Sequence, residues 1–369
     1  MSFITAIGTA TPPHRFRQSD IAAFMVRAMR LNLNGDARKL RAVFRASGID
    51  YRYSVLADYG KTRDFTFYAD TEDLEPFPGT EKRLHAFRQH AASVSAAAVE
   101  DMLMMRGPFD LREVTHLIVV CCTGMYAPGL DIDLVKALNL SLTVERTAIN
   151  FMGCQAAFNA LKVADAICGN NPDAKVLIVC TEFCSLHFQR KPTDDNLLAN
   201  ALFGDGSAAV LVEGRTSSAL QLRMERFRTA LALAGMDDMA WTIGDAGFEM
   251  RLSAYIPELV GAGVGDLVTS LLNAASLDIA GIRYFAIHPG GKRIIEAVQT
   301  QLGIPPGSTS CAYEVLRNYG NMSSPTVLFV LQKLVRQLDA SARGERILAL
   351  AFGPGLTMES MILSIDHTL

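Results

Sequence analysis

Three residues offer most of the chemistry in this chain, and each stands where a strand-like run gives way to a turn or a helix. Cys154 follows a run over residues 147–151 and opens the segment Gln-Ala-Ala-Phe-Asn-Ala-Leu-Lys-Val-Ala-Asp-Ala-Ile, which reads as a helix stopped by Gly169-Asn-Asn-Pro172. A thiol at a helix N-terminus sits among unpaired backbone N–H groups and the positive end of the dipole, which favours the reactive thiolate. Gly153 permits the sharp turn between the two elements. His288 ends an apolar run and precedes Pro289-Gly290-Gly291, and Asn321 lies just ahead of a helical pattern over residues 326–335. Taken singly, each has an ordinary explanation. Cys154 reads equally as a small buried hydrophobe, His288 as a structural histidine, and Asn321 as a helix cap beside Ser323, Ser324 and Pro325.

What binds the three together is a pattern that occurs twice. Residues 116–120 are β-rich and end in Cys-Cys-Thr-Gly. Asn-Phe-Met-Gly-Cys then opens a helix, and Leu-Phe-Gly-Asp-Gly leads into a strand at 208–212. In the second half, residues 283–287 end in His-Pro-Gly-Gly. Asn-Tyr-Gly-Asn-Met opens a helix there, and Ala-Phe-Gly-Pro-Gly leads into a strand at 358–365. Cys122 and Cys154 are 32 residues apart, and His288 and Asn321 are 33 apart. Cys154 to Phe203 is 49 residues against 31 from Asn321 to Phe352, which a surface insertion around residues 191–196 would explain. The repeat predicts an α/β protein of two duplicated halves, residues 1–215 carrying the cysteine and 216–369 carrying the histidine and asparagine. The polar stretch at 70–82 reads as a loop and the alanine-rich 84–103 as a long buried helix.

Composition narrows the possibilities. The chain has 369 residues, half of them hydrophobic, and a net charge of -3, so bulk nucleic-acid binding is not expected. The N-terminus has no basic region ahead of its short apolar run, and the longest apolar runs are well short of the ~18 residues that span a bilayer. Seven cysteines set mostly within apolar runs suit a reducing compartment, so a cytoplasmic location is expected.

The segments Gly153-Cys154, Phe203-Gly-Asp-Gly-Ser-Ala-Ala209, His288-Pro-Gly-Gly291, Tyr319-Gly-Asn-Met-Ser-Ser324 and Phe352-Gly-Pro-Gly-Leu356 resemble the chalcone-synthase superfamily, the type III polyketide synthases. The match runs in order from Thr9-Ala-Thr-Pro-Pro13 to the C-terminus. One departure is Ala351, where the family usually has a glycine. The resemblance implies a thiolase-like fold with five αβαβα layers, a homodimer, and acyl-CoA and malonyl-CoA as substrates with no cofactor and no metal. It makes Cys154 the acyl-carrying nucleophile, and His288 and Asn321 the groups that polarise the malonyl thioester. It makes Phe203 the gate between a CoA tunnel and the cavity.

The same resemblance assigns Cys122, Thr123, Ala127, Cys184, His187, Trp241, Met250 and Ser323 to the substrate pocket. Small residues at Ala127 and Cys184, with Thr123, are similar to the bacterial branch whose tunnel takes a long acyl chain, and each methylene buried there contributes ~0.8 kcal/mol. The bulk of Trp241 works the other way. A pyrone or resorcinol is the expected product, with naphthalene and chalcone types as alternatives. Lys39, Arg41, Arg45, Lys292 and Arg293 are the candidate CoA-phosphate contacts. Three rivals remain at this stage: a ketoacyl synthase fed by a carrier protein, a cysteine hydrolase, and a zinc module built from Cys180, Cys184 and His187.

Overall fold

The computed structural model describes residues 1–31 and 35–367. In chain order the strands are β1 (Phe3–Ala10), β2 (His14–Arg17), β3 (Tyr51–Ser54), β4 (His116–Cys121), β5 (Glu145–Asn150), β6 (Lys175–Phe183), β7 (Asp205–Glu213), β8 (Gln221–Leu231), β9 (Met239–Gly244), β10 (Gly247–Leu252), β11 (Tyr284–Ile287), β12 (Arg346–Gly353) and β13 (Thr357–His367). The helices are α1 (Gln18–Ala28), α2 (Asp36–Ala46), α3 (Thr80–Arg106), α4 (Leu130–Ala137), α5 (Ala156–Asn170), α6 (Asp194–Leu202), α7 (Ile256–Ala275), α8 (Lys292–Leu302), α9 (Ser310–Tyr319) and α10 (Thr326–Val335).

Nine strands hydrogen-bond in the order β11-β12-β13-β8-β1-β7-β6-β4-β5. The duplication is written in that order. Outward from the centre, β1-β7-β6-β4 repeats as β8-β13-β12-β11, with the same directions: two antiparallel pairings, then a parallel one. Strand β5 is the extra edge of the first half, parallel to β4. The halves meet where Phe3 pairs with Arg223 and Ile4 with Leu222. The extra residues between Cys154 and Phe203 are α6 and its approach, which have no counterpart between β12 and β13.

Alternation sorts the first half's strands into two cores, as a sheet buried on both faces requires. Ile118, Val120, Ile178, Cys180, Ala208 and Val210 face one core; Leu117, Val119, Leu177, Val179, Ala209 and Leu211 face the other. The long helix α3 covers the second core, packing on β1, β7 and β6. The first core holds α5 and α10 between the two sets of strands: α5 touches β4 to β7 and β13, and α10 touches β1, β7 and β11. Both helices are built for that middle layer. Helix α5 is alanine-rich, and Thr-Val-Leu-Phe-Val-Leu-Gln-Lys-Leu-Val in α10 is apolar nearly all round. Helix α7 closes the far side on β8 and β13, completing the αβαβα stack. The N-termini of α5 and α10 therefore point to the same region from related positions in the two halves. No helix among the described residues is long and apolar enough to cross a membrane.

Candidate active site

The turn before α5 is wound tightly. Phe151 has φ 57° and Gly153 φ 80°, both left-handed, which glycine tolerates and phenylalanine adopts only under constraint. The constraint is the Phe-Gly-Pro-Gly loop of the other half. A Cβ on Gly153 would lie 2.1 Å from Pro354 Cδ, and one on Gly353 would lie 1.5 Å from Gln155 Oε1. The loop at the end of β12 therefore clamps the cysteine turn, the Pro354 ring against Gly153 and the Gln155 side chain against Gly353. Cys154 is buried at the bottom of this turn, and the Gly153 N–H donates to Cys122 Sγ at 3.1 Å.

Asn321 comes to Cys154 from the loop ahead of α10. Its Nδ2 lies 4.0 Å from Cys154 Sγ and donates to the Gly290 carbonyl at 3.3 Å. Its Oδ1 accepts from the Ser323 N–H at 2.8 Å and from the Thr326 hydroxyl at 3.4 Å. Those donors fix the amide's orientation, and Cys154 Sγ lies beside both its ends, 3.9 Å from Oδ1 and 4.0 Å from Nδ2. The backbone is pinned to the first half as well: Asn321 N–H donates to the Leu202 carbonyl at 2.9 Å, and Gly204 N–H donates to the Asn321 carbonyl at 2.9 Å. The residue between, Phe203, lines the same cavity. His288 leaves the end of β11, its N–H bonded to the Leu350 carbonyl at 2.8 Å. Its ring is buried, and neither ring nitrogen has a hydrogen-bond partner among the described residues. Orphaned polar atoms are rare in a folded interior, and here they belong to a ring that lines a cavity with the thiol and the amide.

Burial dominates the electrostatics. It pushes the Cys154 thiol up to about 11, against the opposing hydrogen bond from Ser323, with the Glu182 carboxylate adding to the rise. It pushes His288 down to about 3. The helix-end stabilisation expected from sequence is outweighed: Cys154 precedes the first turn of α5 and is desolvated, so thiol and imidazole are both held neutral in the unliganded cavity. Glu182 was not singled out from sequence, although an acid inside the apolar run of β6 is itself a signal. It is fully buried and accepts from Cys122 N–H at 2.9 Å, Thr123 Oγ1 at 2.7 Å and Ser324 Oγ at 2.9 Å. Burial nevertheless pushes it up to about 7.

Cys122, Thr123, Cys184, Phe203, Trp241, Met250 and Ser323 all line the cavity with the three central residues. Cys184, Phe203, Trp241 and Met250 also line an adjoining chamber, which continues past them to Ile21, Met25 and Phe188. His187 belongs to that chamber and not to the central cavity. It stacks on Phe248 with ring centres 4.2 Å apart; Nε2 bonds the Thr123 carbonyl at 2.7 Å, and Nδ1 accepts from Phe248 N–H at 3.0 Å. Trp241, on the β9–β10 hairpin of the second half, donates from its indole N–H to the Cys122 carbonyl at 2.9 Å, so a strand from one half walls the cavity of the other. Ala127 lies elsewhere. It is exposed in a surface cleft with Tyr126, Leu130 and Arg146, beside the edge strand β5.

The candidate CoA cations divide between two places. Lys292 and Arg293 stand at an apolar cleft that shares the lining residues Leu252, Gly290 and Ile294 with the central cavity. Lys292 is 3.6 Å from Glu296, and Arg293 is 4.0 Å from Glu258. Arg41 and Arg45 line a separate cleft on the far face of α2 with Arg17, and Lys39 is paired with Asp194.

Two family descriptions match the chain in succession. Residues 1–215 match the N-terminal domain of chalcone and stilbene synthases, and residues 231–366 match the C-terminal domain. The chain belongs to the chalcone and stilbene synthase family. Its curated relatives include an "Alpha-pyrone synthesis polyketide synthase-like Pks18" of Mycobacterium tuberculosis, 32% identical over 99% of this chain and 91% of that protein. A putative chalcone synthase of Bacillus subtilis is 30% identical over 99% of both. Among solved structures, PKS-I from the brown alga Ectocarpus siliculosus superposes with a TM-score of 0.91 at 28% identity, covering 99% of this chain and 98% of the other. The C-terminal type III polyketide synthase domain of Steely1 from Dictyostelium gives 0.90 at 28%, covering 99% of each.

As a chalcone/stilbene-type enzyme, the protein is a type III polyketide synthase and an acyltransferase with a thiolase-like fold. The hydrolase and carrier-fed ketoacyl synthase rivals fall with that assignment. The zinc module falls on geometry: both nitrogens of His187 are engaged, and Cys180 points into the core beneath β6.

Proposed function

We propose that this polyketide synthase loads a fatty acyl group from acyl-CoA onto Cys154, extends it with malonyl units, and closes the chain to a pyrone- or resorcinol-type product. The partnerless imidazole of His288 carries the assignment of roles, since a neutral ring with free nitrogens can both take a proton and donate a hydrogen bond. Cys154 gives its proton to His288 as sulfur attacks the acyl-CoA carbonyl, and CoA leaves with that proton. The charges formed meet in a dry cavity, where their mutual attraction, about 4 kcal/mol at 4 Å and an effective dielectric of 20, offsets part of their desolvation. Malonyl-CoA then occupies the cleft beside Lys292 and Arg293. Its thioester oxygen takes hydrogen bonds from Asn321 Nδ2 and a His288 N–H, so that loss of carbon dioxide leaves an enolate with its charge on that oxygen. The enolate carbon attacks the Cys154 thioester, and expulsion of the thiolate gives a ketoacyl-CoA two carbons longer, ready to be loaded again.

The adjoining chamber supports the fatty starter. It continues the central cavity past Cys184 with Ile21, Met25 and Phe188, and among its polar lining groups Gln189 Nε2 is spent on the Ala246 carbonyl and Asn200 Nδ2 on the Gln189 carbonyl. The alpha-pyrone relative favours the pyrone. A second copy of the chain is the partner suited to β5, an edge strand exposed along most of its length and flanked by the half-exposed Met125 and Met152. Ala127 would lie in that shared face.

The test is incubation of purified protein with malonyl-CoA and acyl-CoA starters from acetyl to stearoyl plus an aromatic one, with products identified by mass. Alkylpyrones from long starters are expected, and none from Cys154→Ala. Turnover confined to the aromatic or malonyl starter would overturn the fatty acyl reading. Sedimentation at micromolar concentration should give a dimer, reduced to monomer by Ala148→Lys; a monomeric wild type would remove the second copy.

A further inference from the structure

Arg52 lies on β3, far in sequence from every residue of the site, yet is buried to 4% exposure. Nothing in the alternation of Tyr-Arg-Tyr-Ser distinguishes it from a surface strand residue. Its guanidinium donates from Nη1 to the Phe203 carbonyl and from Nε to Gln18 Oε1 at 2.9 Å. Gln18 in turn donates from Nε2 to the Ala201 carbonyl at 2.7 Å and to Ser47 Oγ at 3.1 Å. The stem fills the space that two glycines leave open. A Cβ on Gly320 would lie 2.9 Å from Arg52 Cδ, and one on Gly204 would lie 3.5 Å from Arg52 Cβ. Gly320 and Gly204 immediately flank Asn321 and Phe203, and those two segments are the ones joined backbone to backbone.

Given the polyketide synthase roles above, we infer that Arg52 is a positioning residue that sets the Phe203 gate and the Asn321 amide as one unit. It touches neither Cys154 nor the reacting atoms. It anchors the carbonyl of one segment and packs under the turn of the other, so gate and oxyanion donor cannot shift independently. The cost of keeping the cation there is visible: one nitrogen, Nη2, has no partner among the described residues, and burial pulls the group down to about 10, which still leaves it charged at neutral pH. Asn321 acts on malonyl-CoA, whereas the first attack is made by Cys154 on its own turn. Loosening Arg52 therefore impairs decarboxylation more than loading.

The experiment is Arg52→Met and Arg52→Lys beside wild type and Cys154→Ala. Loading of Cys154 by a starter acyl-CoA is followed by intact mass in a single turnover, and carbon dioxide release from labelled malonyl-CoA is followed separately. Arg52→Met should load within about threefold of wild type but lose decarboxylation by about 10²-fold, the cost of a misplaced catalytic group. Arg52→Lys, which keeps a cation and one donor, should recover part of the loss. Should Arg52→Met fail to fold, Gln18→Ala, which frees Nε but keeps the arginine, should show the same split in weaker form. Equal loss of both activities, or no loss of either, overturns the positioning role. A wild type that loads no better than Cys154→Ala and releases no carbon dioxide from malonyl-CoA overturns the site assignment itself.

Discussion

At the scale of single residues, burial and the helix end pull Cys154 in opposite directions, and burial is the stronger. A helix terminus offers an adjacent charge about 0.3–1 kcal/mol, whereas desolvation has pushed this thiol up to about 11. His288 lines the same cavity with both ring nitrogens unpartnered among the described residues, and the proposed roles require any thiolate to form as an ion pair with that ring. His288→Gln is accordingly expected to raise the pH midpoint for alkylation of Cys154 by iodoacetamide and to slow it at neutral pH. An unchanged midpoint would mean that the turn alone activates the sulfur. The three central residues were legible in the sequence because each stands at a junction that recurs in the duplicated pattern, Cys154 matching Asn321 and His288 matching Cys122. Arg52 was not, since its importance comes from two glycines and a carbonyl that are distant in the chain. Glu182 was half legible: its type is wrong for an apolar strand, but only the fold shows that Cys122, Thr123 and Ser324 converge on it.

At the scale of elements, the repeat predicted the strand–helix order well because each half carries the same alternation of β-branched runs and alanine-rich or apolar helices. It did not foresee the crossings between halves. The β9–β10 hairpin is short and mixed in pattern, so nothing local indicates that Trp241 will reach the Cys122 carbonyl. The clamp of the β12 loop on the cysteine turn is likewise a tertiary fact, hidden behind glycines that read as ordinary turn residues. It makes a direct prediction. Gly153→Ala must hold an alanine at φ 80° with its Cβ 2.1 Å from the Pro354 ring. Backbone strain and overpacking together should cost about 2–4 kcal/mol. Thermal unfolding should therefore fall by several degrees, and loading of Cys154 should drop further than stability alone explains, because relief of the clash moves the nucleophile. A variant with wild-type melting and loading would mean that the loop yields freely and does not clamp the turn.

At the scale of the molecule, Glu182 sits where the two halves meet, on β6 of the first and against Ser324 ahead of α10 of the second. Its protonation is therefore coupled to the stability of the whole fold. The folded carboxyl is raised to about 7 from an ordinary 4.5, chiefly by burial. A group whose folded value is raised binds its proton more tightly when folded. Its contribution is complete below pH ~4.5 and is lost as pH climbs through about 7. The full excursion is on the order of 3 kcal/mol. Glu182→Gln keeps the shape and removes the titration, so the mutant's stability relative to wild type should improve between pH 5 and pH 8. Urea midpoints measured for both proteins at the two values give the comparison, and other titrating groups, Asp205 among them, cancel in the difference. If the gap between the two proteins stays constant with pH, Glu182 is already ionised throughout, and the hydrogen bonds from Cys122, Thr123 and Ser324 have overcome its burial.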